Sequence, residues 1–303
     1  MNKKPIIIDT DPGVDDALAL ITAFAAENLD IKLLTSVGGN VKLERTTLNL
    51  LHLTEIFGKD IPVAIGGTSE SKYKISDASN VHGECGLGRY GYTRVNRKPI
   101  KDDAVSAIYD TLKNSEQKVT IVGIGPETNI SELLLKHPDS KQYIEEIVLM
   151  GGSNLGRGNV TDYAEFNIRF DVESAMNVLH SSVKKVYVPM EMGHEAFLDM
   201  QDMERIKNTN KVGEMVSTMS EEYRDQHVRN GVATHDSCAI AYVIDKSIFK
   251  TKKAKMIIDM TSEERIGCTV CDYQSNAPNV EICLDINKSK FKNLIFKSIE
   301  NLS

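Results

Sequence analysis

The chain lacks any apolar run that approaches the roughly 20 residues a membrane-spanning helix needs. We also expect no secretion signal, because only Pro5 to Ile8 separate Lys3-Lys4 from the first aspartate. Its 5 cysteines are odd in number and scattered, which is typical of reduced thiols rather than of a disulfide framework. These absences lead us to expect a soluble cytoplasmic protein with no membrane partner.

The chain also lacks an excess of positive charge, with 36 Lys and Arg against 43 Asp and Glu. The net charge is -7, which argues against a general nucleic-acid binder. The patterns that cradle nucleotide phosphates are also missing: there is no G-x-x-x-x-G-K-[ST], and no G-x-G-x-x-G follows the first predicted strand. Nucleoside triphosphates and dinucleotide cofactors are therefore disfavoured as ligands.

What the chain does have is a cluster of carboxylates at the end of an apolar run. The pattern predicts a buried strand over 6–8 and an Ala- and Leu-rich helix over 17–26. Between and beside them lie Asp9, Asp11, Asp15 and Asp16. No lysine or arginine occurs between Lys4 and Lys32 to offset their charge.

Two such charges about 4 Å apart repel by roughly 4 kcal/mol at an effective dielectric of about 20. Capping of the helix, with Asp11 as the N-cap and Pro12 at the first helical position, would explain one or two of the four aspartates. A hard divalent cation explains the others better, because Ca²⁺ takes about 6–8 oxygen ligands.

Apolar strands alternate with amphipathic helices along most of the chain. The further strands are predicted at 31–37, 61–65, 119–122, 144–150 and 183–188, and the further helices at 41–57, 102–113, 129–136 and 174–179. Two long polar segments, 68–99 and 153–170, interrupt the pattern. Beyond them the pattern predicts mostly helix over 200–227, helices at 235–242 and 291–302, and strands at 255–260, 267–273 and 280–286.

This order predicts an α/β fold, an open, mostly parallel, doubly wound sheet flanked by helices. The last three strands lie close together in the sequence, so we expect a C-terminal antiparallel addition at the sheet edge. No linker or repeat marks a boundary, and residues 1–303 are predicted to form one domain. Ligands bind at the carboxyl edge of such sheets, where we expect Asp11, Asn40, Ile124 and Met150 to meet.

The segment Asp9-x-Asp11-Pro12-Gly13-x-Asp15-Asp16-Ala17 resembles the opening signature of the nucleoside hydrolases. Other segments follow in that family's order: Gly39-Asn40, His82-Gly83-Glu84-x-Gly86-Leu87, Gly125-Pro126-x-Thr128-Asn129-Ile130, Met150-Gly151-Gly152, Gly158-Asn159-Val160-Thr161, Ala164-Glu165-Phe166-Asn167 and Thr234-His235-Asp236. The chain is similar to the broad-specificity bacterial members over nearly its whole length. The resemblance implies a Rossmann-like sheet, a Ca²⁺ cofactor, hydrolysis of ribonucleosides to base and ribose in nucleoside salvage, and a homodimer or homotetramer.

The resemblance also implies a role for individual residues in a single-displacement mechanism. Asp11 would be the general base for a Ca²⁺-bound water, and His235 the acid that protonates the leaving base. The Ca²⁺ ligands would be Asp11, Asp16, Asp236 and the backbone carbonyl of Ile124. The substrate-binding residues would be Asp15, Asn40, His82, Met150, Asn159, Glu165 and Asn167.

Ordinary structural roles stay open for several of these residues. Each asparagine could be a turn residue, and Asp236 could be an N-cap. Cys268-x-x-Cys271 lies in a predicted strand, where side chains three apart face opposite sides, so we interpret it as two core thiols rather than a zinc or redox site. Tyr223 and His227 lie in a predicted helix that, by the resemblance, would border the base pocket, and neither is assigned a contact.

Two other functions compete with this one. Haloacid-dehalogenase-like Mg²⁺ phosphohydrolases also have a strand ending Asp-x-Asp, but they continue with Gly-Thr, whereas this chain has Pro12-Gly13. A non-catalytic nucleoside-binding protein would keep the pocket but would not need a base that activates water. The chain has no tryptophan, so any stacking on a base would use Phe, Tyr or His.

Overall fold

The computed structural model describes residues 3–73, 75–223 and 230–302. Its strands are β1 (Lys4–Thr10), β2 (Leu29–Ser36), β3 (Val63–Ile65), β4 (Val119–Gly123), β5 (Ile144–Met150), β6 (Lys185–Val188), β7 (Leu198–Asp199), β8 (Gly231–Val232), β9 (Phe249–Asp259), β10 (Cys268–Asp272) and β11 (Val280–Ile286). Its α-helices are α1 (Val14–Ala25), α2 (Leu43–Ile56), α3 (Ser79–His82), α4 (Ala104–Asn114), α5 (Thr128–Lys136), α6 (Phe166–Phe170), α7 (Val172–His180), α8 (Met190–Glu195), α9 (Met200–Lys207), α10 (Lys211–Ser220), α11 (His235–Ile244) and α12 (Lys288–Glu300).

A nine-stranded sheet in the order β10-β9-β11-β6-β5-β4-β1-β2-β3 organises the described chain. Neighbouring strands in the part of the sheet ordered β11-β6-β5-β4-β1-β2-β3 pair in parallel. Strand β9 runs antiparallel to both β11 and β10. The predicted fold class, including the antiparallel C-terminal addition, is confirmed. The order 3-2-1-4-5-6 of the first six strands is that of doubly wound dinucleotide-binding sheets.

Alternation along the strands divides the core into two layers. Ile6 and Ile8 face α1, α2 and α11 on one side of the sheet, while Ile7 faces α4, α5 and α7 on the other. Both faces are covered, which explains why the central strands are continuous apolar runs. None of the helices in the described ranges combines the length and apolarity needed to cross a membrane.

The start of α1 differs from the prediction. The N-cap is Gly13, not Asp11, and the carboxylate of Asp16 accepts the Gly13 N–H at 2.9 Å. Asp11 is turned instead toward the loop after β2, where its Oδ2 accepts the Asn40 N–H at 2.7 Å. The sequence pattern could not distinguish these two aspartates because both lie within reach of the first turn.

Other helix boundaries also differ from the predicted ones, because capping residues set where these helices begin. Asp103 is the N-cap of α4, accepting the amides of Val105 and Ser106, so it lies before the helix rather than in its first turn. The polar segment 153–170 ends in α6, which Glu165 caps. The helical prediction over 200–227 is divided into α9 and α10 by the cap residue Asn210, and its end, 224–229, lies outside the described residues.

The cysteines match the interpretation as thiols. All 5 are free, with Cys268 buried and Cys271 half-buried in β10. Their alternation in the strand turns the two sulfurs to different sides of the sheet, so this pair does not form a bidentate site.

An ion-pair group joins a buried glutamate of β5 to one lysine just before β6 and another just after α11. The Glu146 side chain is only 4% exposed, and its two oxygens accept hydrogen bonds of 2.7 Å from Lys184 and Lys246. Burial opposes the charge on Glu146, but the two lysines outweigh it and lower the pKa of this carboxyl. The stabilisation is therefore fully present above the ordinary Glu pKa and is lost as the pH falls through the lower folded value.

We expect Glu146→Gln to reduce the free energy of unfolding at pH 7 by about 1–2 kcal/mol, since both lysine ends are half exposed and screened. Urea unfolding of wild type and variant at pH 7 and at pH 3.5 measures this. The difference in the free energy of unfolding between wild type and variant should be smaller at pH 3.5 than at pH 7. A difference that stays constant over that range would contradict the role given to these charges.

Candidate active site

The strand order reverses between β1 and β4, and the candidate site lies there. The chain leaves β1 toward α1 on one face and leaves β4 toward α5 on the other, which opens a crevice at the carboxyl edge. A cavity of about 450 Å³ occupies the crevice, a size typical of small-molecule sites. It is lined by Asp15, Asn40, residues 75–78 and 80–82, Ile124, Met150, Asn159, Val160, Glu165, Phe166, Asn167, Tyr223, His235 and Asp236.

The structure brings the predicted site residues to this one place. All of them line the cavity except Asp11 and Asp16, which are fully buried beneath its floor. We call residues 11–16, which carry three of the carboxylates, the acidic turn. Among the residues described as lining the cavity there is no lysine or arginine, so protein cations do not neutralise this group.

Asp16 holds the acidic turn together. Its Oδ1 accepts the Thr10 hydroxyl at 2.6 Å, and its Oδ2 accepts the Gly13 amide at 2.9 Å and the Asn40 side-chain amide at 2.8 Å. Asn40 thus both lines the cavity and orders the carboxylates below it. This bonding is strong because each acceptor oxygen is charged.

Asp11 is the least satisfied of the carboxylates. Its Oδ2 accepts the Asn40 backbone amide, but among the described residues its Oδ1 has no hydrogen-bond partner. The carboxylate is held between two glycines, Gly39 and Gly125; a Cβ at Gly125 would lie 2.5 Å from Oδ1. A buried acceptor without a donor is costly, so this oxygen is where a bound cation would relieve the site.

The carboxylates also act on one another. Ligand oxygens of Asp15, Asp16 and Asp236 lie within 4.8 Å of one another. Burial and the neighbouring aspartates raise the pKa of Asp15 to about 7 and hold the pKa of Asp236 well above its usual range. Burial and the charge of Asp16 likewise hold the pKa of Asp11 well above its usual value. Asp236 hydrogen-bonds to Asp16, an arrangement that needs a shared proton when no cation is present.

These residues fit a hard divalent cation, because the donor set is all oxygen and buried. The close group differs from the ligand set implied by the resemblance, since it contains Asp15 and has Asp11 at its side. The identity of the metal and the exact ligands remain predictions. The alternative that Asp236 caps a helix is wrong: α11 begins at His235, and Thr234 is its N-cap.

Asp9 does not belong to this group. Its Oδ1 accepts the Thr35 hydroxyl and, at 2.8 Å, the Asn129 side-chain amide. Successive side chains of a strand alternate, so Asp9 shares the face of Ile7 and lies apart from Thr10 and Asp16. The expectation that a cation accounts for the aspartates left over by capping is therefore wrong for this one.

The two site histidines are fixed in different protonation patterns. His82 Nδ1 accepts the Val14 N–H at 3.1 Å, at the first turn of α1, so the ring proton lies on Nε2. Burial and the nearby His235 lower the pKa of His82 to about 3, and the ring is neutral. His235 Nδ1 lies 3.1 Å from the Met190 carbonyl oxygen, which only accepts, so this nitrogen carries a proton.

The remaining polar residues brace the cavity wall. Glu165 accepts the Gly152 and Asn167 amides, each at 2.9 Å, and burial raises the pKa of its carboxyl. Asn167 donates at 3.2 Å to the carbonyls of Ile124 and Met150. Asn159 accepts the Phe166 amide at 2.9 Å, so its turn role and its place on the cavity coexist.

Sequence reasoning did not identify one side of the cavity. Residues 75–78 and 80–81 line it without belonging to a motif, and Val160 and Phe166 line it although no role was predicted for them within their motifs. The available signal was their position beside His82, Asn159 and Asn167 in long polar segments. Tyr223 does reach the cavity, with its ring 5.3 Å from that of His82, whereas His227 lies outside the described residues.

Comparison with known proteins agrees with this arrangement. The family model described as inosine-uridine preferring nucleoside hydrolase matches residues 6–293. RihC of Shigella flexneri serotype 5b (strain 8401), a non-specific ribonucleoside hydrolase, is 38% identical over 293 residues, 96% of either chain. A plant nucleoside hydrolase has a TM-score of 0.91 at 28% identity, covering 98% of this chain and 99% of its own. A purine-preferring ribonucleoside hydrolase from Gardnerella vaginalis has a TM-score of 0.91 at 27% identity, covering 99% of each chain.

The fold, the acidic cavity and these matches lead to one conclusion. The chain belongs to the inosine-uridine preferring nucleoside hydrolase family and is an enzyme of the class that hydrolyses N-glycosyl bonds.

Proposed function

We propose that this enzyme hydrolyses ribonucleosides to free base and ribose with the help of Ca²⁺, and that it does so with broad base specificity. The observation that carries the proposal is the unpartnered Oδ1 of Asp11 beneath a cavity walled by carboxylates and amides. A ribose needs convergent donors and acceptors of this kind for its hydroxyls. The non-specific activity named for the 38% identical relative supports the breadth of the base range.

Asp11, Asp16, Asp236 and the carbonyl of Ile124 would hold the cation. When bound, it supplies positive charge that keeps the carboxylates ionised and lowers the pKa of a coordinated water. Ionised Asp11 then accepts the proton of the attacking water. No covalent intermediate on the protein is required.

The protein stabilises the ribosyl cation that develops as the bond breaks. Asp15, Asn40 and Glu165 orient the sugar, while Asn159, Asn167 and Met150 complete its pocket. The negative charge of this wall favours positive charge at the anomeric carbon. His235, anchored through Nδ1 on the Met190 carbonyl, would protonate the leaving base through Nε2.

Further features of the proposal come from the resemblance. We place the enzyme in cytoplasmic nucleoside salvage, as one domain that assembles into a homodimer or homotetramer. The match of the nucleoside hydrolase model to residues 6–293 disfavours the phosphohydrolase alternative. The buried acidic turn disfavours a pure binding protein, because carboxylates without a reaction to serve only destabilise a pocket.

Asp11→Ala should abolish base release, with a loss of kcat/KM of about 10²- to 10⁴-fold or more, because the general base is removed. The measurement is release of base from inosine, adenosine, guanosine, uridine and cytidine. Asp60→Ala, at a fully exposed aspartate, is the control and should retain full activity. Wild-type turnover by Asp11→Ala would eliminate the assignment.

Ca²⁺ binding at pH 7 should release protons, because burial and the neighbouring carboxylates hold the pKa of Asp236 well above its usual range. Calorimetric titration of chelator-treated protein in two buffers of different ionisation enthalpy measures the proton number. Affinity should weaken as the pH falls, since protons compete with the cation. Identical heats in the two buffers, or activity unaffected by chelator, would contradict the metal site.

His235→Ala should reduce turnover of inosine more than turnover of a riboside whose leaving group needs no protonation, such as a nitrophenolate. The reason is that only the first reaction needs the proton from Nε2. Comparing the two losses in kcat tests the role. Equal losses on both substrates would remove His235 as the acid.

A further inference from the structure

A buried amide joins the two segments that carry the site. Asn49, on α2, is fully buried, and its Nδ2 donates to the Pro12 carbonyl at 2.9 Å and to the Cys85 carbonyl at 2.8 Å. Pro12 belongs to the acidic turn. Cys85 belongs to residues 82–92, which follow His82 in the chain and which we call the His82 loop.

The third hydrogen bond of this amide fixes its orientation. The Tyr92 hydroxyl donates to Asn49 Oδ1 at 2.6 Å, so Oδ1 is the acceptor and Nδ2 the donor. The Tyr92 ring is itself stacked on His52 of α2, with centroids 4.2 Å apart and planes at 12°. A fully bonded buried amide of this kind has one orientation.

The His82 loop approaches the acidic turn so closely that one position needs glycine. Gly86 has φ +86°, and a Cβ there would lie 2.7 Å from Asn49 Nδ2 and 3.1 Å from the Pro12 carbonyl oxygen. A second contact joins the same two segments, because His82 Nδ1 accepts the Val14 amide. Gly86 of the His82 motif therefore permits this close approach of the two segments.

We propose that Asn49 is a positioning residue that couples the acidic turn to the His82 loop, so that Asp11 and His82 keep their relative place around the nucleoside. Asn49 itself does not line the cavity. Both carbonyls that it binds belong to segments that do carry site residues. This inference rests on the proposed function, because it assigns a role within that reaction.

The experiment is a double-mutant cycle on base release from inosine, with Asn49→Ala, His82→Ala and the double variant. Asn49→Ala should lower kcat/KM by about 10- to 100-fold, since small misplacements of reacting groups have effects of this order. The double variant should lose little more than the worse single variant, because the amide acts partly through His82. Tyr92→Phe keeps both Nδ2 bonds and should lose less.

The matched control is Asn279→Ala. Asn279 binds the amide and carbonyl of Met256 through its side chain, away from the cavity, so its loss should affect stability without affecting kcat/KM. If Asn49→Ala does not fold, the same cycle is run with Tyr92→Phe. The proposal would be overturned if the loss of kcat/KM in the double variant equalled the product of the two single losses. It would also be overturned if Asn49→Ala lost no more kcat/KM than Asn279→Ala.

A second readout does not depend on turnover. Saturating Ca²⁺ should raise the melting temperature of Asn279→Ala as much as that of wild type, but should raise that of Asn49→Ala less, because Pro12 is no longer tied down. Equal Ca²⁺-induced increases in the melting temperature of both variants would overturn the link to the acidic turn. A wild type that releases no base but shows this difference would refute the proposed function and leave the coupling in place.

Discussion

The central constraint on this structure is the mutual repulsion of buried carboxylates at the carboxyl end of β1, which must be compensated. Asp11, Asp15, Asp16 and Asp236 are taken out of water within one small volume, with no lysine or arginine among the described residues of the cavity wall. Burial raises the pKa of each of them, and repulsion from neighbouring aspartates raises the pKa of Asp11, Asp15 and Asp236 further. Such a group persists only if protons or a cation compensate it.

The fold places this carboxylate group beside a cavity that can hold a ligand. Because β1 and β4 are neighbours whose connections leave on opposite faces, the loops after them diverge and leave a cavity. The loops after β2 and β5 bring Asn40 and the Gly151–Gly152 turn to the same edge, and the Ala164–Cys268 bridge holds the wall against the C-terminal hairpin. Polar groups from distant parts of the chain thus converge on one ligand.

Much of this could be predicted from the sequence, since strand and helix patterns have different periods and their alternation implies a parallel sheet. Because Asp11, Asn40, Ile124 and Met150 lie at or just after the ends of predicted parallel strands, they could be placed together at the carboxyl edge of the sheet. The N-cap of α1 and the place of Asp9 were mispredicted, because several aspartates lie within reach of one turn and only geometry shows where each points. The wall at 75–81 carries no motif, and Asn49 looks in the sequence like any helix residue, so their places depend on tertiary packing alone.

The central claim is that a divalent cation occupies the carboxylate group and contacts the free oxygen of Asp11. Anomalous diffraction from crystals grown in Ca²⁺ tests this most directly. We predict one peak about 2.3–2.6 Å from oxygens of Asp11, Asp16 and Asp236 and from the Ile124 carbonyl. A map without a peak there at saturating Ca²⁺, with the carboxylates turned toward water or bonded only to one another, would contradict the account.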